Sequence, residues 1–131
     1  DFIAFEISEN HPNLDMDDSM IDFLFSLSGY IWLDDFGSNN ATMSAVIKRP
    51  YHAIKIDKSF LQHNIENRTI SETIKRIKEF VPYVIAEGIE NEVYHKMSVE
   101  LDLWGGQGYY FLNTNMSNHC EMVSNYLSFD F

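Results

Sequence analysis

Tyr30-Ile31-Trp32-Leu33-Asp34-Asp35-Phe36-Gly37 is the stretch that decides the fold. Tyr30 to Leu33 is an apolar run too short for a helix, and it reads as a buried strand. It stops on two carboxylates. The same arrangement recurs on either side. Upstream, Phe5-Glu6-Ile7-Ser8-Glu9 belongs to a strand over 2–7. Downstream, the strand Ala53 to Ile56 carries Lys55 and leads into Asp57. Tyr83 to Ala86 is a strand ending on Glu87-Gly88-Ile89-Glu90, and Gln107 precedes a fifth strand over Gly108 to Phe111. An acid, a lysine or an amide therefore stands where each strand stops. When parallel strands close into a barrel, those ends converge on one face, where chemistry sits.

Helical segments separate the strands. Met20, Phe23, Leu24 and Leu27 make an apolar stripe over 17–27, with Asp15 or Asp17 as cap and Gly29 as stop. Ala41 to Lys48 is a short helix that Pro50 ends. Ile70, Ile74, Ile77 and Phe80 mark an amphipathic helix capped by Thr69 or Ser71. Asn91 to Glu100 and Ser117 to Leu127 complete the set. The strand–helix unit repeats about five times, roughly every 25 residues, which implies an α/β fold with parallel strands. No Gly-rich phosphate loop follows the first strand, which disfavours a doubly wound nucleotide fold. A (β/α)8 TIM-type barrel fits the strand ends better but takes about 200 residues or more. The expectation is a partial barrel of about five βα units, the later part of one domain. A strand starting at Phe2 with no Met before it also suggests a segment of a longer protein.

The 131 residues suffice for one domain with a core, and 45% hydrophobic content argues against disorder. A formal charge of −11 disfavours nucleic acid and anionic membranes as partners. Carboxylates gathered around cations suit it. Cys120 is the sole cysteine, so no internal disulfide forms. No apolar run reaches membrane-spanning length.

Two adjacent carboxylates such as Asp34 and Asp35 cannot both be buried and ionised without cations. Oxygen-only ligands favour Mg²⁺, Mn²⁺ or Ca²⁺ over zinc. A solvated turn, or a cap for the helix at 41–48, is the plainer alternative. Glu6 alternates with Phe5 and Ile7 and would face the barrel mouth. Lys55 between two isoleucines needs an anionic partner or must reach out to water. Asp57 reads as a cap for the turn that follows it. Glu87 is a candidate ligand or general base, and Glu90 a cap for the helix at 91. Gln107 with Tyr109, Tyr110 and Phe111 suits a planar base, or the aromatics are plain core. His11, His52, His63, His95 and His119 lack metal-ligand spacing, and Met97, Met116 and Met122 read as core fillers.

Taken together, the motifs resemble the EAL domain, the bacterial phosphodiesterase family that linearises cyclic di-GMP. Glu6-Ile7-Ser8-Glu9 resembles its E-x-T-E strand, and Leu33 to Gly37 its D-D-F-G. Lys55-Ile56-Asp57-Lys58-Ser59-Phe60 matches K-I-D-x-S-F, Val84 to Glu90 matches V-I-A-E-G-V-E, and Gln107 to Phe111 matches Q-G-Y-x-F. The resemblance implies that residues 1–131 are the C-terminal portion of one EAL domain. It implies that Glu6, Asp34, Asp35 and Glu87 bind two Mg²⁺ or Mn²⁺ ions. Lys55, Glu87 and Gln107 would be catalytic, orienting water and phosphate, while Glu9, Asp57 and Glu90 would support them. It implies a bacterial cytoplasmic setting, cyclic di-GMP as ligand, and a homodimer through the loop and helix after Asp35.

Two departures stand beside it. The family's name-giving Glu-Ala-Leu segment and a later Asn ligand belong upstream, and no glutamate here stands in that context. The loop after Asp35 reads Gly37-Ser38-Asn39-Asn40-Ala41-Thr42-Met43 where the family has G-T-G-Y-S-S-L. Its Asn-x-x-Thr-Met wording is similar to degenerate EAL proteins of the YdiV type, which bind a protein partner and do not hydrolyse cyclic di-GMP. Those proteins have lost the Asp-Asp pair kept here.

Overall fold

In the computed structural model of the chain, residues 4–12, 19–27, 30–38, 43–63, 69–113 and 127–128 are described. Strand β1 is Phe5–Ser8, followed by helix α1, Ser19–Leu27. Strand β2 is Ile31–Phe36, α2 is Met43–Lys48, and β3 is Ala53–Ile56. Helices α3, Lys58–His63, and α4, Thr69–Lys78, lead to β4, Tyr83–Ala86. Helix α5, Glu92–Glu100, precedes β5, Gly105–Gly106, then α6, Tyr110–Asn113, and β6, Leu127–Ser128. The strands form one sheet in chain order, with β1 to β5 all parallel and β6 antiparallel to β5. Parallel neighbours in chain order, joined by helices, are the expected partial TIM-type barrel.

Register sorts the side chains onto two faces. Leu33, Ile54 and Val84 stand side by side and point to the helices. There they pack with Ile21, Val46, Leu61 and the Ile70–Ile74–Ile77 stripe of α4 in one buried cluster. Full burial of each such isoleucine stabilises the fold by about 1.5–3 kcal/mol. Trp32, Ala53 and Tyr83 share the opposite face, with Glu6 beside Trp32 and Lys55 beside Ile85. Every residue of β3 is buried, as befits the middle strand of a parallel sheet covered on both sides.

Several sequence expectations change. The fifth strand is Gly105–Gly106, not Gly108 to Phe111. Glycine carries no strand signal, whereas Tyr-Tyr-Phe carries a strong one that here belongs to a turn and α6. Helix α3 joins the set at 58–63. Phe80 lies beyond the end of α4 and is exposed. On α1 the buried residue is Ile21 and Leu24 packs against the core, while Met20, Phe23 and Leu27 are exposed, so of the four-residue stripe only Leu24 meets the core. Asn91 caps α5, accepting from Val93 N and Tyr94 N at 3.0 and 3.2 Å, so Glu90 is not the cap. Leu127, expected to end a helix, pairs with Gly106 in β6. The candidate caps Asp15 and Asp17, Gly29, the loop residues 39–42 and the segment 114–126 lie outside the described residues. No helix among the described residues is long and apolar enough to cross a membrane.

Candidate active site

The sheet's hydrogen-bond ladder runs one step past each strand, and that step sets the site residues. Glu9 N donates to Asp34 O, Asp57 N to Phe36 O, Glu87 N to Ile56 O and Gln107 N to Ala86 O, all at 2.8–3.0 Å. Glu9, Asp57, Glu87 and Gln107 thus hold equivalent places at the C-terminal ends of β1, β3, β4 and β5. Glu87 is two residues beyond Ile85, and Gln107 two beyond Gly105, so period-two alternation keeps both on the face of Lys55.

Asp34 and Asp35 would diverge in a regular strand. They do not, because β2 carries a bulge. Leu33 pairs with Ile54 and Phe36 with Ile56, so two aspartates on β2 oppose the one residue Lys55 on β3. Asp35 absorbs the extra residue with a left-handed backbone, φ 60°. Aspartate tolerates that region better than most residues. Phe36 then returns to the buried helix-facing side.

Lys55 lies at the centre of the acids and is 4% exposed. Its Nζ is 2.8 Å from Glu87 Oε1, 3.0 Å from Asp34 Oδ1 and 3.4 Å from Glu6 Oε2. Burial opposes its charge, but the hydrogen bonds and negative charge of Glu87 and Asp34 outweigh that and hold the ammonium well above the ordinary lysine range. Asp35 sits outside this ion-pair set. Burial raises its pKa, and the charges of Asp34 and Asp57 add to the rise, against a hydrogen bond from Ser8 Oγ at 3.4 Å and the charge of Lys55. Burial also raises Glu87 despite Lys55, with Asp34 and Asp35 pushing the same way. One oxygen from each of Asp34, Asp35 and Glu87 lies within 4.8 Å of the others. A cation taking oxygen ligands at about 2.0–2.6 Å spans that gap. It would also relieve the repulsion that lifts Asp35 and Glu87. Gln107 Oε1 is buried without a hydrogen-bond partner among the described residues, a further oxygen left over at the same strand ends. The residues therefore fit a hard divalent cation.

The supporting residues divide. Glu9 braces the turn after Asp35, accepting from Gly37 N at 2.9 Å and Ser38 Oγ at 2.7 Å. Asp57 caps α3, accepting from Ser59 N at 2.7 Å and from Ser59 Oγ. Glu90 is exposed, bonds Lys58 Nζ at 3.2 Å and stands apart from the three-carboxylate group. Glu6 reaches the group through Lys55. Tyr109 is exposed, while Tyr110 and Phe111 pack on the core edge with His95, whose ring stacks on Tyr110 at 5.1 Å. Sequence reading missed the bulge, and the tandem aspartates before a buried Phe36 were its one available sign.

The EAL domain family model matches residues 1–114. The chain belongs to the EAL domain family. It is 32% identical over 104 residues to the signaling protein YkoW of Bacillus subtilis, covering 76% of the chain and 13% of that protein. It is 31% identical over 113 residues to the cyclic di-GMP phosphodiesterase PdeA of Borreliella burgdorferi, covering 82% of the chain and 17% of PdeA. Among solved structures it is similar to the EAL-like domain protein YdiV, with TM-score 0.70 and 28% identity over 81% of the chain and 47% of YdiV. The chain thus spans under a fifth of the length of these curated relatives.

Proposed function

We propose that this EAL chain supplies the later part of a metal-dependent site that hydrolyses cyclic di-GMP to linear pGpG, with residues 1–131 forming the C-terminal portion of the domain. The observation that carries the reading is the convergence of Asp34, Asp35 and Glu87 within 4.8 Å around a buried, charged Lys55. The likeness to PdeA supplies the substrate class.

Asp34, Asp35 and Glu87 would hold Mg²⁺ or Mn²⁺, with Glu6 at the edge of the group. Such ions supply Lewis-acid charge to phosphoryl oxygens and make water more acidic. Lys55, whose charge Glu87 and Asp34 favour, would donate hydrogen bonds to a phosphate oxygen or to the attacking water. Gln107 Oε1, without a donor among the described residues, would accept from that water or from a base N–H. Glu9 fixes the turn that carries Asp35. In the hydrolysis, water oxygen bonds to phosphorus, one ring P–O bond breaks, and the departing ribose oxygen takes up a proton.

A second reading is a non-catalytic EAL module that binds cyclic di-GMP or a protein partner. The similarity to YdiV and the altered wording of the loop after Asp35 favour it. One experiment separates the two. The longest protein the gene encodes is incubated with cyclic di-GMP and Mg²⁺ or Mn²⁺, beside its Asp34→Asn variant, and linear product is sought by chromatography. Product that vanishes in the variant supports hydrolysis. No product, with binding that survives both Asp34→Asn and chelation, supports the binding module.

A further inference from the structure

Helix α3 follows β3, the strand that lies between the two strands whose ends carry the acids. Its first turn touches both neighbouring turns. Phe60 fills the space that a side chain on Gly37 would take: a methyl group there would come within 2.6 Å of the ring. Its ring also meets that of Phe36 edge-on, at 6.1 Å. The stem of Lys58 does the same at Gly88, where a methyl would come within 2.5 Å of it. Its Nζ then pairs with Glu90. Gly37 is two residues after Asp35, and Gly88 is the residue after Glu87. Both glycines hold φ above +60°, so close approach and backbone shape combine at each turn. On its other side, the turn at Gly37 and Ser38 is held by Glu9. Asp57 fixes the start of α3 itself.

The acids at these turns repel one another, and Asp35 lacks the direct lysine contact that Asp34 and Glu87 have. Ser8 Oγ at 3.4 Å and the more distant charge of Lys55 offset that repulsion, and packing at the two turns is the further element that sets how close Asp35 stands to Glu87. We propose that Phe60 and Lys58 are positioning residues that hold these two carboxylates at cation-binding separation and thereby tune which divalent ion the site prefers. The proposal rests on the reading of Asp34, Asp35 and Glu87 as cation ligands. Mg²⁺ demands near-ideal octahedral geometry at about 2.0–2.1 Å, whereas Ca²⁺ accepts looser shells at about 2.3–2.6 Å. Loosening the bracket should cost Mg²⁺ more than Ca²⁺. Partners that orient ligands change metal affinity about 10–100-fold when removed.

The test is calorimetric titration of the full-length protein with Mg²⁺ and, separately, Ca²⁺, with thermal unfolding measured in parallel. Phe60→Ala should weaken Mg²⁺ about tenfold and Ca²⁺ much less. Phe60→Leu, which still fills the space, should recover most of the affinity. Gly37→Ala, which drives a methyl into the ring, should weaken Mg²⁺ as well. Lys58→Ala, at an exposed side chain, should give a smaller loss than Phe60→Ala. Ile77→Ala, in the core of α4, should lower the melting temperature and leave both affinities alone. If Phe60→Ala fails to fold, Gly37→Ala and Lys58→Ala decide. Unchanged Mg²⁺ affinity in the folded bracket variants, or equal losses for both ions, overturns the positioning role while the ligand reading stands. A wild-type protein that binds neither ion overturns both.

Discussion

Replacing Lys55 by methionine is the sharpest probe of the acid cluster. The substitution keeps the unbranched stem and removes the charge. It leaves Glu6, Asp34 and Glu87 without the ammonium that lies 3.4, 3.0 and 2.8 Å from them. At an effective dielectric of about 20, one pair at 2.8 Å has a gross attraction of about 6 kcal/mol. Burying the ammonium costs several kcal/mol in return, and breaking a buried pair from one side typically costs about 3–5 kcal/mol. The acids here keep 39%, 23% and 21% exposure, so water screens them and the lower end applies. The expected loss at pH 7 without divalent cation is about 3 kcal/mol, or about 10 °C in melting temperature. The loss should shrink as pH falls, because Glu87, whose carboxyl burial already holds above its ordinary range, takes up a proton more readily without the ammonium. Saturating Mg²⁺ should return most of it, since a ligand at a hundred times its dissociation constant adds about 2.7 kcal/mol. Urea unfolding with and without Mg²⁺ measures each quantity. A Lys55→Met protein that matches wild type in metal-free buffer refutes the reasoning, because the ammonium would then not be neutralising the cluster.

Asp35 and Glu87 both have raised carboxyl pKa values, so each holds its proton more tightly folded than unfolded. Metal-free stability should therefore fall as pH rises from the ordinary carboxylate range, about 4, through those raised values. Cation affinity should move the opposite way and be lost as pH falls through the same window. Urea midpoints and Mg²⁺ titrations between pH 4 and 7 check both signs. Glu9→Ala removes the acceptor for Gly37 N and Ser38 Oγ and should cost about 1–2 kcal/mol in urea unfolding. It should also weaken Mg²⁺ binding, and an unchanged titration would show that the turn keeps its shape without Glu9.

The repeat of strand and helix was legible because Val84-Ile85-Ala86 and Ile54-Lys55-Ile56 are short apolar runs and Ile70, Ile74 and Ile77 sit at helical spacing. Those patterns record burial, and burial is what the sheet and α4 are built from. Lys55 was legible for the same reason, since an ammonium inside a buried strand must find anions. Where another demand overrode local preference, the pattern misled. Gly105 and Gly106 form a strand despite poor propensity because the buried Leu103 and the ladder to Ile85 and Ala86 put them there. Tyr109 to Phe111 have strand-like side chains but occupy a turn and a short helix. The α1 stripe has helical spacing, yet spacing alone does not say which face meets the core. Ile21 makes that contact with Leu24 and Phe25 beside it, while Met20 and Phe23 stay exposed.

The bulge explains why two neighbouring acids can serve one site at all. A strand has period two, so consecutive side chains point to opposite faces. Without the bulge, Asp34 would face Lys55 and Asp35 would be driven into the layer occupied by Leu33 and Ile54. An ionised carboxylate there would lack a partner and would have to be neutralised. Inserting one residue into β2 cancels the alternation once. Both aspartates reach the inner face, and Phe36 resumes the apolar face two strand positions after Leu33. The left-handed backbone at Asp35 is the local cost of that correction. Gly37, Glu9 and Phe60 meet at the same turn and hold it in place. Thus the motif Asp-Asp-Phe-Gly is one mechanical unit. Its acids provide charge, its phenylalanine restores burial, and its glycine admits the neighbouring ring.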